Sequence, residues 1–151
     1  MIVRRSQAEI AKLRRANQLV GAVLGRLRAM VAPGVTTQDI DAAAEAMVLE
    51  ARATPAFKGY HGYPATICIS VNEQVVHGIP SKRPLLAGDI VSLDMGAVLD
   101  GYYGDSAVTV PVGEVSAQAK VNNLADRQYE TAMGYNQPGQ AFYVTLRWQP
   151  K

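Results

Sequence analysis

The sequence has a single cysteine, Cys68, and only two histidines, His61 and His77, in 151 residues. One cysteine excludes an internal disulfide and fits a reducing compartment. Two histidines exclude a metal site built on three imidazoles. No apolar run is long enough to span a bilayer. The opening MIVRRSQAEIAKLRR lacks the apolar core and small-residue cleavage site of a secretory signal. The strand–GxxxxGK–helix loop that cradles phosphates is missing, and so are long linkers and low-complexity segments. Charge of one sign is scarce too: charged residues make up 19% and the net charge is +2. That balance argues against DNA or an anionic membrane as a partner. The expectation is a soluble cytoplasmic protein.

What is present suits one α/β domain. Hydrophobic residues reach 48%, enough for a sizeable core. Ser6 followed three residues later by Glu9 is a capping box. Behind it Ile10, Leu13, Val20, Val23, Leu24, Leu27 and Val31 recur at helical spacing until Ala32-Pro33-Gly34 stops the run. Thr36 or Thr37 caps a second helix, with Asp39 and Asp41 in its first turn and Ile40, Ala44, Met47, Val48 and Ala51 as its apolar stripe. The Gly-, Pro- and aromatic-rich PAFKGYHGYP reads as an ordered loop. ATICISV (Ala65–Val71) reads as a strand and VVHGIP as a short strand running into a turn. A third helix is expected from Ser116 to about Met133, and AFYVTLRWQPK reads as a strand or a loose tail. A helix ending in APG at Pro33 is echoed by QPG at Pro138, either a second structural repeat or a chance recurrence. Arg4, Arg5, Lys12, Arg14 and Arg15 concentrate the basic charge in the first helix, as a solvated face or as a contact for an acidic partner such as RNA.

The most informative stretch is SLDMGAVLDGYYGDSA, Ser92–Ala107. Asp100-Gly101 is a strong two-residue hairpin signal between Asp89–Leu99 and Tyr102–Val112. That turn sets Asp105 opposite Gly96, so Asp94 and Asp105 share one face as diagonal neighbours. Two carboxylates that close repel each other, and burial worsens the conflict. A divalent cation between them resolves it, because carboxylate oxygens are hard ligands that can bridge two ions. The other reading is a pair of partly solvated aspartates at a sheet edge.

His77 is delivered by a strand to the tight turn Gly-Ile-Pro, a good place to fix an imidazole at the rim of a site; it also reads as structural, as does His61. Cys68, between Ile67 and Ile69, reads as an inert buried thiol or as part of an apolar pocket wall.

GYHGYPATICISVNEQVVHGIP, followed by GDIVSLDMGAVLDGYYGDSAVTVPVG, resembles the N-terminal half of the type I methionine aminopeptidases, over roughly Ser6 to Gly139. The resemblance implies an α/β (α+β) pita-bread fold of the creatinase/aminopeptidase kind, with residues 1–139 as its N-terminal portion and 140–151 as a divergent tail. It implies a pair of divalent ions (cobalt, manganese, iron or zinc), with Asp94 a ligand of one metal and Asp105 bridging both. His77 matches the histidine that contacts substrate and helps stabilise the transition state. Tyr60, His61, Tyr63 and Cys68 match positions around the methionine side-chain pocket. The implied reaction is hydrolytic removal of the initiator methionine from nascent proteins, with possible ribosome contact. VHGIP resembles the methionine enzymes more than the proline-directed peptidases of the same fold.

The chain also departs from this pattern. Members complete the site with one more histidine and two glutamates from the second half. Here no histidine follows His77, and Glu130 is the sole glutamate beyond Val115. Two of five protein ligands remain, which predicts a truncated chain with negligible peptidase activity and an exposed sheet edge and apolar face. The alternative is a non-catalytic module of this fold that binds nascent peptide, ribosome or a partner chain.

Overall fold

The computed structural model describes residues 4–113, 115–122, 130–132, 135–136 and 141–148. Helix α1 (Gln7–Met30) opens on the expected capping box: Ser6 Oγ accepts the Glu9 N–H, and the Glu9 carboxylate accepts the Ser6 N–H. It buries Ala16, Val20, Val23, Leu24 and Leu27, while Ile10 stays exposed near the free end. Helix α2 (Thr37–Glu50) is capped by Thr36, not Thr37, through a second reciprocal box with Asp39. Thr37 turns inward instead and exchanges hydrogen bonds with the backbone of Ser81.

Strands β1 (Thr54–Pro55) and β2 (Ile67–Val71) lie end to end along one edge of β3 (Ile90–Leu99). Strand β4 (Tyr102–Pro111) pairs antiparallel along the other edge. The hairpin forms as expected: Asp100 and Gly101 both take positive φ, 51° and 77°, as a type I′ turn requires. Val91, Leu93, Met95 and Ala97 alternate along β3 and are fully buried beneath the helices. Helix α1 lies across β3 and β4, and α2 packs beside it over β1 and β2. Each fully buried aliphatic side chain of this core contributes roughly 1.5–3 kcal/mol.

Two sequence expectations fail. VVHGIP forms no strand, because Val75, Val76 and Ile79 are exposed and His77 takes a left-handed backbone at φ 58°, which a ladder cannot accommodate. The helix expected from Ser116 to Met133 is also not found: Val115–Asn122 is strand β5 and Glu130–Ala132 is strand β6, while 123–129 fall outside the described residues. The reason lies in the sequence itself. VSAQAKVN alternates apolar and polar with a period of two, a strand pattern. Its register aligns 115, 117, 119 and 121 with 148, 146, 144 and 142 of β8 (Ala141–Trp148), so the last stretch is a strand. Strand β6 pairs with β7 (Tyr135–Asn136). The QPG echo at Pro138 lies outside the described residues.

Asp89 ties the loop after β2 to the sheet. Only 6% exposed, it accepts hydrogen bonds from the Asn72 amide at 2.7 Å and the Leu86 N–H at 2.9 Å, and it pairs with Arg83. Burial pushes its pKa up, but the Leu86 and Asn72 hydrogen bonds and the Arg83 charge outweigh that and hold it below the ordinary 3.8. Its carboxylate therefore adds stability above the unfolded value, and that stability is lost as pH falls through the lower folded value. Asp89→Asn should cost about 2 kcal/mol in urea melts at pH 7. The gap to the parent should close as pH drops below the folded value; a gap that persists unchanged there would refute this account.

Candidate functional site

The face of the sheet away from the helices carries Cys68 and Ser70 on β2, Ser92, Asp94 and Gly96 on β3, and Asp105, Ala107 and Thr109 on β4. These residues are small or polar, but Tyr103 on the same face of β4 is exposed, so the expected exposed apolar face is present only in part. Ser92 and Thr109 bridge two strands through their hydroxyls at 2.8 Å. Val75, Val76, Ile79 and Tyr60, outside the strands, are exposed as well. The outer edge of β4 has no strand partner among the described residues.

Part of this face forms a cleft of about 830 Å³. Tyr60, His61, Tyr63, Cys68, His77, Asp94 and Asp105 all line it, so the fold gathers every candidate site residue into one place. Gly96 pairs with Asp105 and Cys68 with Asp94, which makes the aspartates diagonal neighbours on the same face as strand geometry requires. Phe57, Gly96, Ile79 and Tyr103 also line the cleft and were missed. Tyr103 and Gly96 had a readable signal, since each lies two residues from a candidate aspartate along its strand. A Cβ on Gly96 would sit 2.9 Å from Phe57 Cε1, so this glycine lets the Phe57 ring pack down onto the strand. Phe57 had no sequence signal, because its place depends on the loop path.

Asp41 was also missed. Its Oδ1 accepts the N–H groups of Thr66 and Ile67 at 2.8 and 3.1 Å, anchoring the start of β2 from α2. The Tyr63 hydroxyl lies 3.1 Å from the Ile67 carbonyl oxygen and 3.0 Å from that of Gly78. The Tyr60 and His61 rings meet edge to face, centroids 4.3 Å apart, with His61 in a left-handed conformation.

The electrostatics follow from the crowding of carboxylates. Burial raises the Asp94 pKa, the Asp105 charge raises it further, and His77 only partly offsets them. Burial likewise holds the Cys68 thiol in its protonated form, with Asp94 and Asp105 adding to the shift against the neighbouring Tyr63 hydroxyl. Such a thiol is a poor nucleophile. Burial, then the hydrogen bond with Cys68 and the Asp41 and Asp94 charges, hold the Tyr63 phenol well above its usual range. In kind, two repelling carboxylates fit a hard divalent ion. In number they fall short, because no group of three or more His, Cys, Asp or Glu is arranged to hold a metal among the described residues.

Residues 11–144 match the profile of metallopeptidase family M24. The chain belongs to that family. Among curated M24 relatives, the methionine aminopeptidase of Clostridium acetobutylicum is 50% identical over 120 residues, covering 79% of this chain and 48% of that protein. Methionine aminopeptidase 1 of Mycobacterium tuberculosis is 46% identical over 129 residues, 85% of this chain and 48% of its own length. The chain thus spans about half the length of the curated relatives it matches. The crystal structure of methionine aminopeptidase from Rickettsia prowazekii superposes with a TM-score of 0.74 at 37% identity, over 76% of this chain and 46% of that one. The Thermotoga maritima enzyme gives 0.72 at 45% identity, over 75% and 46%. An Xaa-Pro dipeptidase from Bacillus anthracis is more distant, with a TM-score of 0.62 at 26% identity, over 73% and 30%. The fold is therefore the N-terminal portion of the M24 pita-bread architecture, an antiparallel sheet flanked by helices. No helix among the described residues is long and apolar enough to cross a membrane.

Proposed function

We propose that the cleft is the N-terminal share of a methionine aminopeptidase site, which removes the initiator methionine from nascent proteins in the cytoplasm. The gathering of seven candidate residues in one cleft carries this reading. In it, Asp94 and Asp105 would hold divalent metal (cobalt, manganese, iron or zinc). The metal supplies polarisation of the scissile carbonyl and a nucleophile at neutral pH. His77, on the exposed rim, would contact the substrate and support charge developing in the transition state. Tyr60, His61, Tyr63 and Cys68 would surround the methionine side chain; a neutral thiol and phenyl faces suit an unbranched thioether.

As a 151-residue chain, the protein is expected to bind metal weakly and to have negligible activity. Two carboxylates cannot fix a two-metal geometry, and the described residues hold no third donor beside them. Calorimetric titration with manganese or cobalt should reveal no pair of tightly bound ions. Methionine release from Met-Ala-Ser with either metal should stay at background. Turnover that Asp105→Asn abolishes would overturn the inactivity proposal.

One observation favours a second reading, a binding module for ribosome, nascent peptide or partner chain. Arg4, Arg5, Lys12, Arg14 and Arg15 are all exposed on or beside α1. Retention on ribosomes that falls steeply with salt, and is lost on replacing these residues, would support it.

A further inference from the structure

Between Gln74 and Ser81 the chain crosses the rim of the cleft with few supports. Ser81 is fixed to Thr37, and the Gln74 N–H bonds back to Val71. Among the described residues, the backbones of Val75, Val76, His77 and Ile79 have no hydrogen bonds outside these anchors. The exception is Gly78, the one buried residue from Asn72 to Ile79. Its N–H donates to Ser70 Oγ at 3.1 Å. Its carbonyl oxygen accepts the Ile69 N–H at 2.8 Å and lies 3.0 Å from the Tyr63 hydroxyl. Contact with β2 is so close that a Cβ on Gly78 would stand 2.1 Å from the Ile69 carbonyl oxygen. Only glycine allows this approach. His77, the preceding residue, sits at a positive φ of 58°. A non-glycine residue there holds its conformation only where its surroundings enforce it.

We propose that Ser70 and Tyr63 are positioning residues for His77. By holding the Gly78 N–H and the Gly78 carbonyl oxygen, which belong to the peptide groups on either side of its Cα, they fix the backbone from which the imidazole reaches the cleft. This rests on the reading of His77 as the substrate-contacting residue, and it gives Tyr63 a role for its hydroxyl separate from any use of its ring. Ser70 faces the same side of β2 as Cys68, so the strand that forms the cleft wall also sets the height of the rim.

The test is nuclear magnetic resonance of the full chain, comparing Ser70→Ala and Tyr63→Phe with the parent. Tyr63→Phe keeps the ring and removes only the hydroxyl, so the proposal stays testable if Ser70→Ala does not fold. Each change should speed amide exchange at Gly78 or Ile69 about fivefold or more, the factor expected for one lost hydrogen bond. The Leu93 amide should be little changed. The His77 imidazole signal should move toward its position in an unfolded chain. Manganese(II) supplies the readout that a merely structural role would not move. In the parent, broadening should reach both the Cys68 amide and the His77 imidazole; in the variants, the Cys68 effect should persist and the His77 effect weaken at least twofold. An imidazole signal unchanged in both variants would overturn the proposal. No broadening at Cys68 in the parent would instead defeat the metal-site reading and leave the imidazole shift and Gly78 exchange to decide the positioning role.

Discussion

Gly104→Ala is expected to lift α1 off the sheet and to be strongly damaging for a single added methyl. Gly104 lies on β4 opposite Ala97, on the face that α1 covers. A Cβ there would stand 2.5 Å from the Ala16 carbonyl oxygen and 2.8 Å from the Asn17 nitrogen. Both are helix backbone, which cannot rotate away like a flexible side chain. The opposing effect is real: alanine in place of a strand glycine gains roughly 0.5–1 kcal/mol by restricting the unfolded chain. Overpacking against a rigid neighbour costs about 1–3 kcal/mol and more where nothing can yield. The second effect wins, so denaturant melts should show a net loss of about 1–2 kcal/mol or more. Gly25 is the control. It lies on α1 with nothing within 4 Å of the added methyl, so Gly25→Ala should stabilise the protein by about 0.5–1 kcal/mol. Equal effects at the two positions would show that α1 is not seated as described.

The second large effect changes sign with metal. Burial and Asp105 raise the Asp94 pKa above its ordinary value of 3.8. A raised pKa means the folded chain prefers the proton, so stability tied to this group is full below the unfolded value and is lost as pH rises through the folded one. At neutral pH the carboxylate opposes folding. Asp94→Asn should therefore raise the melting temperature of the metal-free chain by a few degrees, solvent screening keeping the gain small. The gain should vanish in acid, where the parent carboxylate is already neutral. With manganese or cobalt in excess, the parent should gain stability by mass action and the variant should gain at least tenfold less apparent affinity. A variant no more stable than the parent at neutral pH without metal would refute the repulsion argument. A site whose carboxylates oppose the fold until a cation binds is what a cation-binding function leads one to expect.

Much of the site was legible because local rules decide it. The Asp100-Gly101 turn dictates a register, and a register dictates that Asp94 and Asp105 share a face. Ser6 announces the first helix start, and Thr36 or Thr37 the second, because a cap's side chain acts on the next turn of backbone. The failures have equally definite causes. Val121, Leu124, Ala125, Gln128 and Ala132 offer a weak helical face, which favours a helix from Ser116, but VSAQAKVN has a period of two, a strand signal. VVHGIP was read as a strand on its two valines, but those valines bury nothing, and β propensity without a pleated surface to pack on has little force. Asp41 was taken for a first-turn acid near the α2 dipole; its actual partners, Thr66 and Ile67, are remote in sequence.

By itself the sequence determined the first helix cap, the hairpin, the pairing of the two aspartates and the family, since each rests on residues a few positions apart or on a contiguous motif. The tertiary structure decided what depends on close approach between distant segments. It alone placed Gly78 against Ile69, Gly104 against α1 and Phe57 over Gly96. It alone showed that the sheet face away from the helices carries mostly small and polar residues, with Tyr103 exposed among them. The physical reason is the same in each case. Steric exclusion and desolvation act through space at a few ångströms, and no spacing along the chain encodes which backbone will arrive at that distance.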